Sequence, residues 1–212
     1  IADRVGRLPG KDKARFLQVA ASNVVRSRYE PEGLTSLEGL TWPDTYLVGA
    51  NETEDQILRR IVEAFDKHAD AAGLDRAEAL ALTPYQALVG ASLLQAEAGR
   101  TDDAPLIAAV IVNRLRENMP LQIDATLCYA KGGCPPVPTE DDKKVDSPYN
   151  TYKVNGLPPT PIETFTTASL NAMLAPAPVP YKFYVSDKNG KTYFATTQAE
   201  HERNVAKAHN AG

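Results

Sequence analysis

The sequence predicts an α+β fold, a helical front half packed on a small antiparallel sheet from the back half. Residues 53–73, 83–100 and 102–118 carry apolar side chains at three- and four-residue intervals, the period of a helix with a buried face. Residues 181–196, YKFYVSDKNGKTYFAT, alternate Tyr181, Phe183 and Val185 with polar neighbours and then present Asn189-Gly190, a strong hairpin turn signal. From Pro120 to the hairpin the texture is loop and short strand.

Taken in order, residues 1–8 read as a helix already under way and residues 11–22 as a second, with Phe16, Leu17 and Ala20 on one side. Residues 23–50 lose periodicity and gain Pro31, Gly33, Gly39 and Pro43, which marks an ordered loop. Its centre is LEGLTWPDTYLV, where Pro43 biases Trp42 to an extended backbone, and Trp42 and Tyr46 have the area to pin the loop to a core. Thr53 and Gln56 form a capping box for helix 53–73, striped by Ile57, Leu58, Ile61, Val62 and Phe65. His68 lies beside that stripe and, with no second histidine at ligand spacing, reads as structural. Thr83, Pro84 and Gln86 open helix 83–100, and Gly99 stops it. Leu106, Ile107, Val110, Ile111 and Leu115 make the core face of 102–118, with Asn113 and Arg114 near its far end.

Beyond Pro120 come LQIDATLCYA, a Cys/Gly/Pro segment, a charged run at 140–144 that reads as solvated loop, and SPYNTYKVNGLPPTPIE. Residues 164–174 form a modest helix ended by APAPVP. After the hairpin, Thr197 and Glu200 cap a closing helix, 198–209.

With 212 residues, 43% hydrophobic and 24% charged, the chain can bury a core of ordinary size. Its net charge of -4 and the lack of a dense Lys/Arg stripe argue against nucleic acid as a partner. The longest apolar run, 106–112, is too short for a bilayer. The start has neither an initiator Met nor a signal-peptide pattern, so a soluble piece of a longer protein is expected. Cys128 and Cys134 flank a Gly-Gly pair with no CxxC knuckle; a small disulfide loop and two buried thiols both fit. No metal or cofactor is expected.

GxSxG, HExxH, P-loop and helix-opening GxGxxG patterns are absent from the sequence. Glu97 is the only carboxylate of helix 83–100, with Leu94 and Leu93 three and four residues before it and Gly90 a turn further back. Apolar neighbours and the negative end of the helix dipole both disfavour its ionised form, as a general acid near neutral pH requires. Spacing alone favours a solvated glutamate near a helix end, so other evidence has to decide. Gln122, Asp124, Tyr149, Asn150, Thr151 and Tyr152 concentrate polar groups able to grip sugar hydroxyls. Asp44, Asp124 and Glu163 are the other acids in motif-like loops, and no spacing sets two carboxylates at a stated separation.

The segments EGLTWPDTY, ASLLQAEAG, NRL followed by LQIDAT, SPYNTY, GLPPTPI, the hairpin and AEHERNV resemble, in this order and spacing, the YceG-like family of endolytic murein transglycosylases. The resemblance covers residues 38–208. Ala125 stands where that family commonly has Pro, and Thr160 where it commonly has Gly. Gln95 stands where a second Glu is often found, leaving Glu97 as the single matching acid.

The resemblance implies a catalytic domain at 23–212, with 1–22 a remnant next to a truncated LysM-like domain. It implies a lyase that cuts the β-1,4 bond between N-acetylmuramic acid and N-acetylglucosamine inside peptidoglycan glycan strands, leaving a 1,6-anhydro end. Glu97 would serve as acid and then base; Gln122, Asp124, Tyr149, Asn150, Thr151 and Tyr152 would hold substrate. His201 would fix the hairpin to the last helix or line the cleft. An N-terminal anchor outside this chain would hold the protein at the extracytoplasmic face of the membrane, with cell-wall synthases as candidate partners. In that compartment Cys128 and Cys134 would be oxidised to a disulfide. A hydrolytic muramidase and a non-catalytic wall-binding module are the alternatives.

Overall fold

A computed structural model describes residues 1–97, 101–133 and 138–211. Its centre is the helix α4, Pro84–Glu97, which is apolar nearly all round and therefore buried nearly all round. Tyr85 and the run from Ala87 to Leu94 are all buried, and only the ends of the helix reach the surface. The N-terminus is held by the capping box read from the sequence. The Thr83 N–H donates to Gln86 Oε1 at 2.8 Å and the Gln86 N–H returns to Thr83 Oγ1 at 3.2 Å. The C-terminal stop expected at Gly99 lies outside the described residues.

Around α4 pack α5 (Ala104–Arg116), α6 (Asp124–Lys131) and α7 (Thr167–Leu174). Gly90 lets α7 approach closely: a Cβ there would stand 2.9 Å from Met173 Sδ. Ser92 is fully buried and accepts the Ile162 N–H at 3.1 Å, so α4 also fixes the loop entering α7. Gln95 Oε1 accepts from the N–H and hydroxyl of Thr166 and from Ser169 Oγ, which spends its polar head on the start of α7.

The helix α3 (Glu54–Ala71) has two buried faces. Phe65 and Ala69 join the α4 core, while Ile57, Leu58, Ile61 and Val62 meet Phe16 and Val19 of α2 (Lys13–Ala20) and Val5 of α1 (Ala2–Val5). α1 is shorter than the helix expected over 1–8. The loop between α2 and α3 is pinned as expected. Trp42 stacks on His68 of α3, ring centroids 3.9 Å apart, and the Tyr46 hydroxyl donates to the Trp42 carbonyl.

The back half contains the sheet: β1 (Phe183–Ser186) pairs antiparallel with β2 (Thr192–Ala195), Phe183 opposite Ala195 and Ser186 opposite Thr192. The closing helix α8 (Gln198–Asn210) packs on both strands and starts with the expected Thr197–Glu200 box. The α+β expectation holds.

One expectation fails. LQIDATLCYA is not loop and short strand; its second part is α6, opened by Asp124 in the first turn and ended by Gly132 in the left-handed region, φ 69°. Asp at the start, Lys131 in the last turn and glycine just beyond are helix signals. The residues before Asp124, with Leu121 and Ile123 alternating, also fit a short strand. Cys128, in this helix, is disulfide-bonded; Cys134 lies outside the described residues. No helix among the described residues is long and apolar enough to cross a membrane.

Candidate active site

The site is assembled at the C-terminal end of α4 by two anchoring residues in the last turns of α5. Asn113 Nδ2 donates to the carbonyls of Val179 and Tyr181, both at 2.9 Å, and holds the chain entering β1. Arg114, buried at 7% exposure, donates from Nε to Lys182 O at 2.6 Å and from one terminal nitrogen to the carbonyls of Pro120 and Leu121. That same nitrogen reaches Gln122 Oε1 at 3.3 Å, and the guanidinium carbon lies 5.1 Å from the Phe183 ring centroid. One side chain thus fixes both the hairpin and the turn that leads into α6. A buried guanidinium satisfied by carbonyl oxygens keeps its donors occupied, although burial works against its charge.

The hairpin so placed delivers Tyr184 to Glu97: the phenol hydroxyl donates to Glu97 Oε2 at 2.6 Å, joining residues 87 apart. Glu97 is partly exposed at its rim, and burial is the main influence on it, raising its pKa above the ordinary 4.5. The Tyr184 hydrogen bond acts in the opposite direction. The charge of Asp124 raises the pKa further, and the backbone N–H of Ala125 in the first turn of α6 lowers it. The carboxyl is therefore desolvated toward its neutral form while donors stand ready for its anion. The phenol of Tyr184 is pushed far up, by burial first and then by Glu97, so it stays a neutral donor.

Asp124 lies at the exposed start of α6 and its Oδ1 accepts from the Tyr152 hydroxyl at 2.5 Å. Gln122, exposed and with φ 54°, donates its N–H to Thr151 O at 3.0 Å and turns its side chain toward Arg114. Gln122, Asp124 and Tyr152 thus flank the Glu97 end of α6.

Asn150 and Thr151 sit deeper. Asn150, fully buried, donates to the carbonyls of Lys143 and Val145 and accepts the Tyr152 N–H at 3.0 Å. Thr151 Oγ1 accepts the Ile123 N–H and bonds Thr126 Oγ1, both at 2.9 Å. Their side chains are taken up in fixing the loop that carries Tyr152 to the start of α6. Tyr149 packs against the Tyr129 ring and bonds Thr160 Oγ1 at 2.8 Å, on the side of α6 a turn beyond Ala125. His201 stacks on Phe183 at 5.3 Å, tying α8 to β1, with its pKa lowered by burial and then by Arg114.

Sequence reasoning did not single out Tyr184 or the anchoring role of Arg114. The alternation that put Phe183 and Val185 on the core side left Tyr184 on the other, and only the adjacent match to NRL and YKFYVSD marked both segments. Two cavities, of about 570 and about 520 Å³, open elsewhere: neither is lined by Glu97 or its partners.

A domain built round one buried helix, ending in a single carboxyl kept toward its neutral form and faced by a neutral phenol, belongs to the class of sites suited to giving and taking one proton. The family model described as the YceG-like family matches residues 3–207, and the chain belongs to that family. It is 34% identical over 181 residues to an endolytic murein transglycosylase of Streptococcus pneumoniae serotype 2 (strain D39 / NCTC 7466), covering 82% of this chain and 33% of that protein. An endolytic murein transglycosylase of Bacillus subtilis strain 168 is 33% identical over 168 residues, covering 79% of this chain and 46% of the relative. The chain therefore spans less than half the length of these curated relatives. A 2.6 Å crystal structure described as a yceG-like protein from Listeria monocytogenes has a TM-score of 0.83 and 32% identity, covering 95% of this chain and 71% of that one.

Proposed function

We propose that this domain is an endolytic lytic transglycosylase of peptidoglycan, cutting the β-1,4 bond between N-acetylmuramic acid and N-acetylglucosamine. The observation that carries the proposal is the state of Glu97: a carboxyl raised by burial at the end of α4, with Tyr184 bonded to one of its oxygens. Membership of a family whose relatives bear the name endolytic murein transglycosylase supplies the substrate class.

In this reading neutral Glu97 gives its proton to the bridging oxygen as the bond from that oxygen to the muramic acid C1 breaks, the electron pair leaving with oxygen. The substrate's acetamido group stabilises the cationic centre. The Glu97 carboxylate, now favoured by its donors, takes the proton of the C6 hydroxyl while O6 bonds to C1, which closes the 1,6-anhydro ring and restores the acid. No water enters, so one carboxyl suffices. Gln122, Asp124 and Tyr152 hold the sugars and stems, while Tyr149, Asn150, Thr151 and His201 keep the cleft in shape.

Asp124 favours a second reading, because it is close enough to Glu97 to raise its pKa and a muramidase needs a second carboxylate. The hydroxyl of Tyr152 occupies an oxygen of Asp124, which weighs against its activating water. Full-length relatives are longer than this chain, so we place residues 1–22 next to a further domain. The site then acts at the extracytoplasmic face of the membrane, held by an anchor outside the chain, with cell-wall synthases as partners.

The test is a digest of purified glycan strands analysed by mass. Internal cuts ending in anhydro-muramic acid, each product one water lighter than a hydrolytic fragment, are expected. Glu97→Gln should bind strands and lose cleavage by a factor on the order of 100 or more. Hydrated reducing ends would replace this reading with the muramidase one; binding without cleavage by the wild type would leave a wall-binding module.

A further inference from the structure

A carboxyl that first gives a proton and then takes one back within a turnover needs both of its charge states to be accessible. Burial supplies only the first condition. Left alone it would make Glu97 more reluctant to release its proton, since desolvation penalises the anion. Something in the site must favour the anion, and it must do so without adding a positive charge that would ionise the group outright.

Among the described residues Arg114 is the cation beside Tyr184, yet it makes no ion pair with Glu97: its donors go to the carbonyls of Lys182, Pro120 and Leu121 and to Gln122. Among the described residues, the groups that donate to the carboxyl are neutral, the phenol of Tyr184 at 2.6 Å and the amide of Ala125. Tyr184 has little freedom to be elsewhere. Arg114 and Asn113 bond the backbone at 179, 181 and 182, and the register with β2 sets Tyr184 opposite Phe194.

We propose that Tyr184 is the positioning residue of this site: its hydroxyl occupies Glu97 Oε2, so that the transferable proton resides on Oε1 and the anion left after transfer is held in place by the same hydrogen bond. The inference rests on the proposed acid–base role of Glu97 for its catalytic consequence, but the hydrogen bond and its effect on the titration of Glu97 stand apart from any activity. The backbone N–H of Ala125 is a weaker contributor of the same sign. A proline at this position, in the first turn of α6, has no N–H to offer.

Among the described residues, three sets of groups bear on the titration. Tyr184 and the Ala125 amide favour the anion, while Asp124, on the facing end of α6, favours the neutral acid. Arg114 also acts on the Tyr184 phenol, favouring its ionised form and thus making it a stronger donor.

The experiment follows the carboxyl carbon of Glu97 by NMR through a pH titration in wild type, Tyr184→Phe and Ala125→Pro. Tyr184→Phe is expected to move the midpoint to higher pH by about one unit, the worth of a hydrogen bond to a charged group. Ala125→Pro should move it the same way by less. In strand digestion Tyr184→Phe should lose about tenfold in kcat, with KM nearly unchanged and the basic limb of the pH profile displaced to higher pH. The wild type should also show a slowly exchanging, downfield Tyr184 hydroxyl proton whose shift changes in Glu97→Gln. An unmoved Glu97 midpoint in folded Tyr184→Phe overturns the proposal. If that variant does not fold, a Tyr184 hydroxyl resonance insensitive to Glu97→Gln overturns it. A moved midpoint with no glycan cleavage by wild type would keep the Tyr184 role and overturn the transglycosylase reading instead.

Discussion

The Tyr152 hydroxyl and Asp124 Oδ1 meet at 2.5 Å across 28 residues of sequence, closing the exposed end of α6 against the loop that follows it. Because Asp124 also raises the pKa of Glu97, its charge has a readable effect at a distance. Asp124→Asn removes that charge, so the Glu97 pKa should fall and the basic limb of the cleavage profile should move to lower pH, opposite in sign to Tyr184→Phe. Tyr152→Phe should lower turnover by about tenfold through loss of a charge-assisted bond, with the melting temperature nearly unchanged. Initial rates across pH for both variants check this.

Glu97 makes stability depend on pH in a defined direction. Its folded pKa lies above the ordinary 4.5 of the unfolded chain, so above pH 4.5 the unfolded state gains ionisation that the folded state resists. The wild type therefore loses stability as pH rises from 4.5 to the folded pKa and no further beyond it. Glu97→Gln lacks this term. Its melting temperature relative to wild type should be higher at pH 7 than at pH 4, and parallel melting curves at the two pH values test it.

Asn150→Ala removes a fully buried side chain that satisfies three backbone groups. An unsatisfied buried group costs about 1–3 kcal/mol, so a loss of about 2 kcal/mol or more is expected. Thermal unfolding should fall by about 4–8 °C alongside activity. Activity lost with an unchanged melting temperature would instead make Asn150 a substrate contact.

Gly39 adopts φ +71°, and a Cβ there would stand 2.3 Å from Pro161 Cβ. Both the left-handed backbone and the collision with a rigid ring oppose any side chain. Gly39→Ala should lower the denaturation midpoint by more than Asn150→Ala does, in urea titrations of the two proteins side by side.

Cys128 is disulfide-bonded in α6, three residues beyond Ala125. Denatured, unreduced protein should therefore show no thiol reactive toward a colorimetric reagent. Reduction should lower stability by about 2 kcal/mol, the low end of what a disulfide contributes. Two equivalents of thiol before reduction would refute the bond.

What the sequence settled by itself was local. Capping at Thr53, Thr83 and Thr197, the stripe of α3 and the Asn189-Gly190 turn are written in neighbours three or four apart or in alternation, so local pattern exposes them. The burial of Glu97 could be argued from Leu93 and Leu94 for the same reason. Tertiary structure alone decided which residues face that carboxyl. Tyr184 comes from 87 residues away, on the strand face that alternation had assigned to polar neighbours. Arg114 reads locally as a charged residue at a helix end, and only its bonds to 120–122 and 182 reveal an anchor. Asn150 and Thr151 carry the chemistry of sugar ligands, but a side chain's capacity to bond does not state its partner; burial gave them to the backbone. A site assembled across long sequence separations depends on how elements pack, and packing is set by the whole core rather than by any one segment.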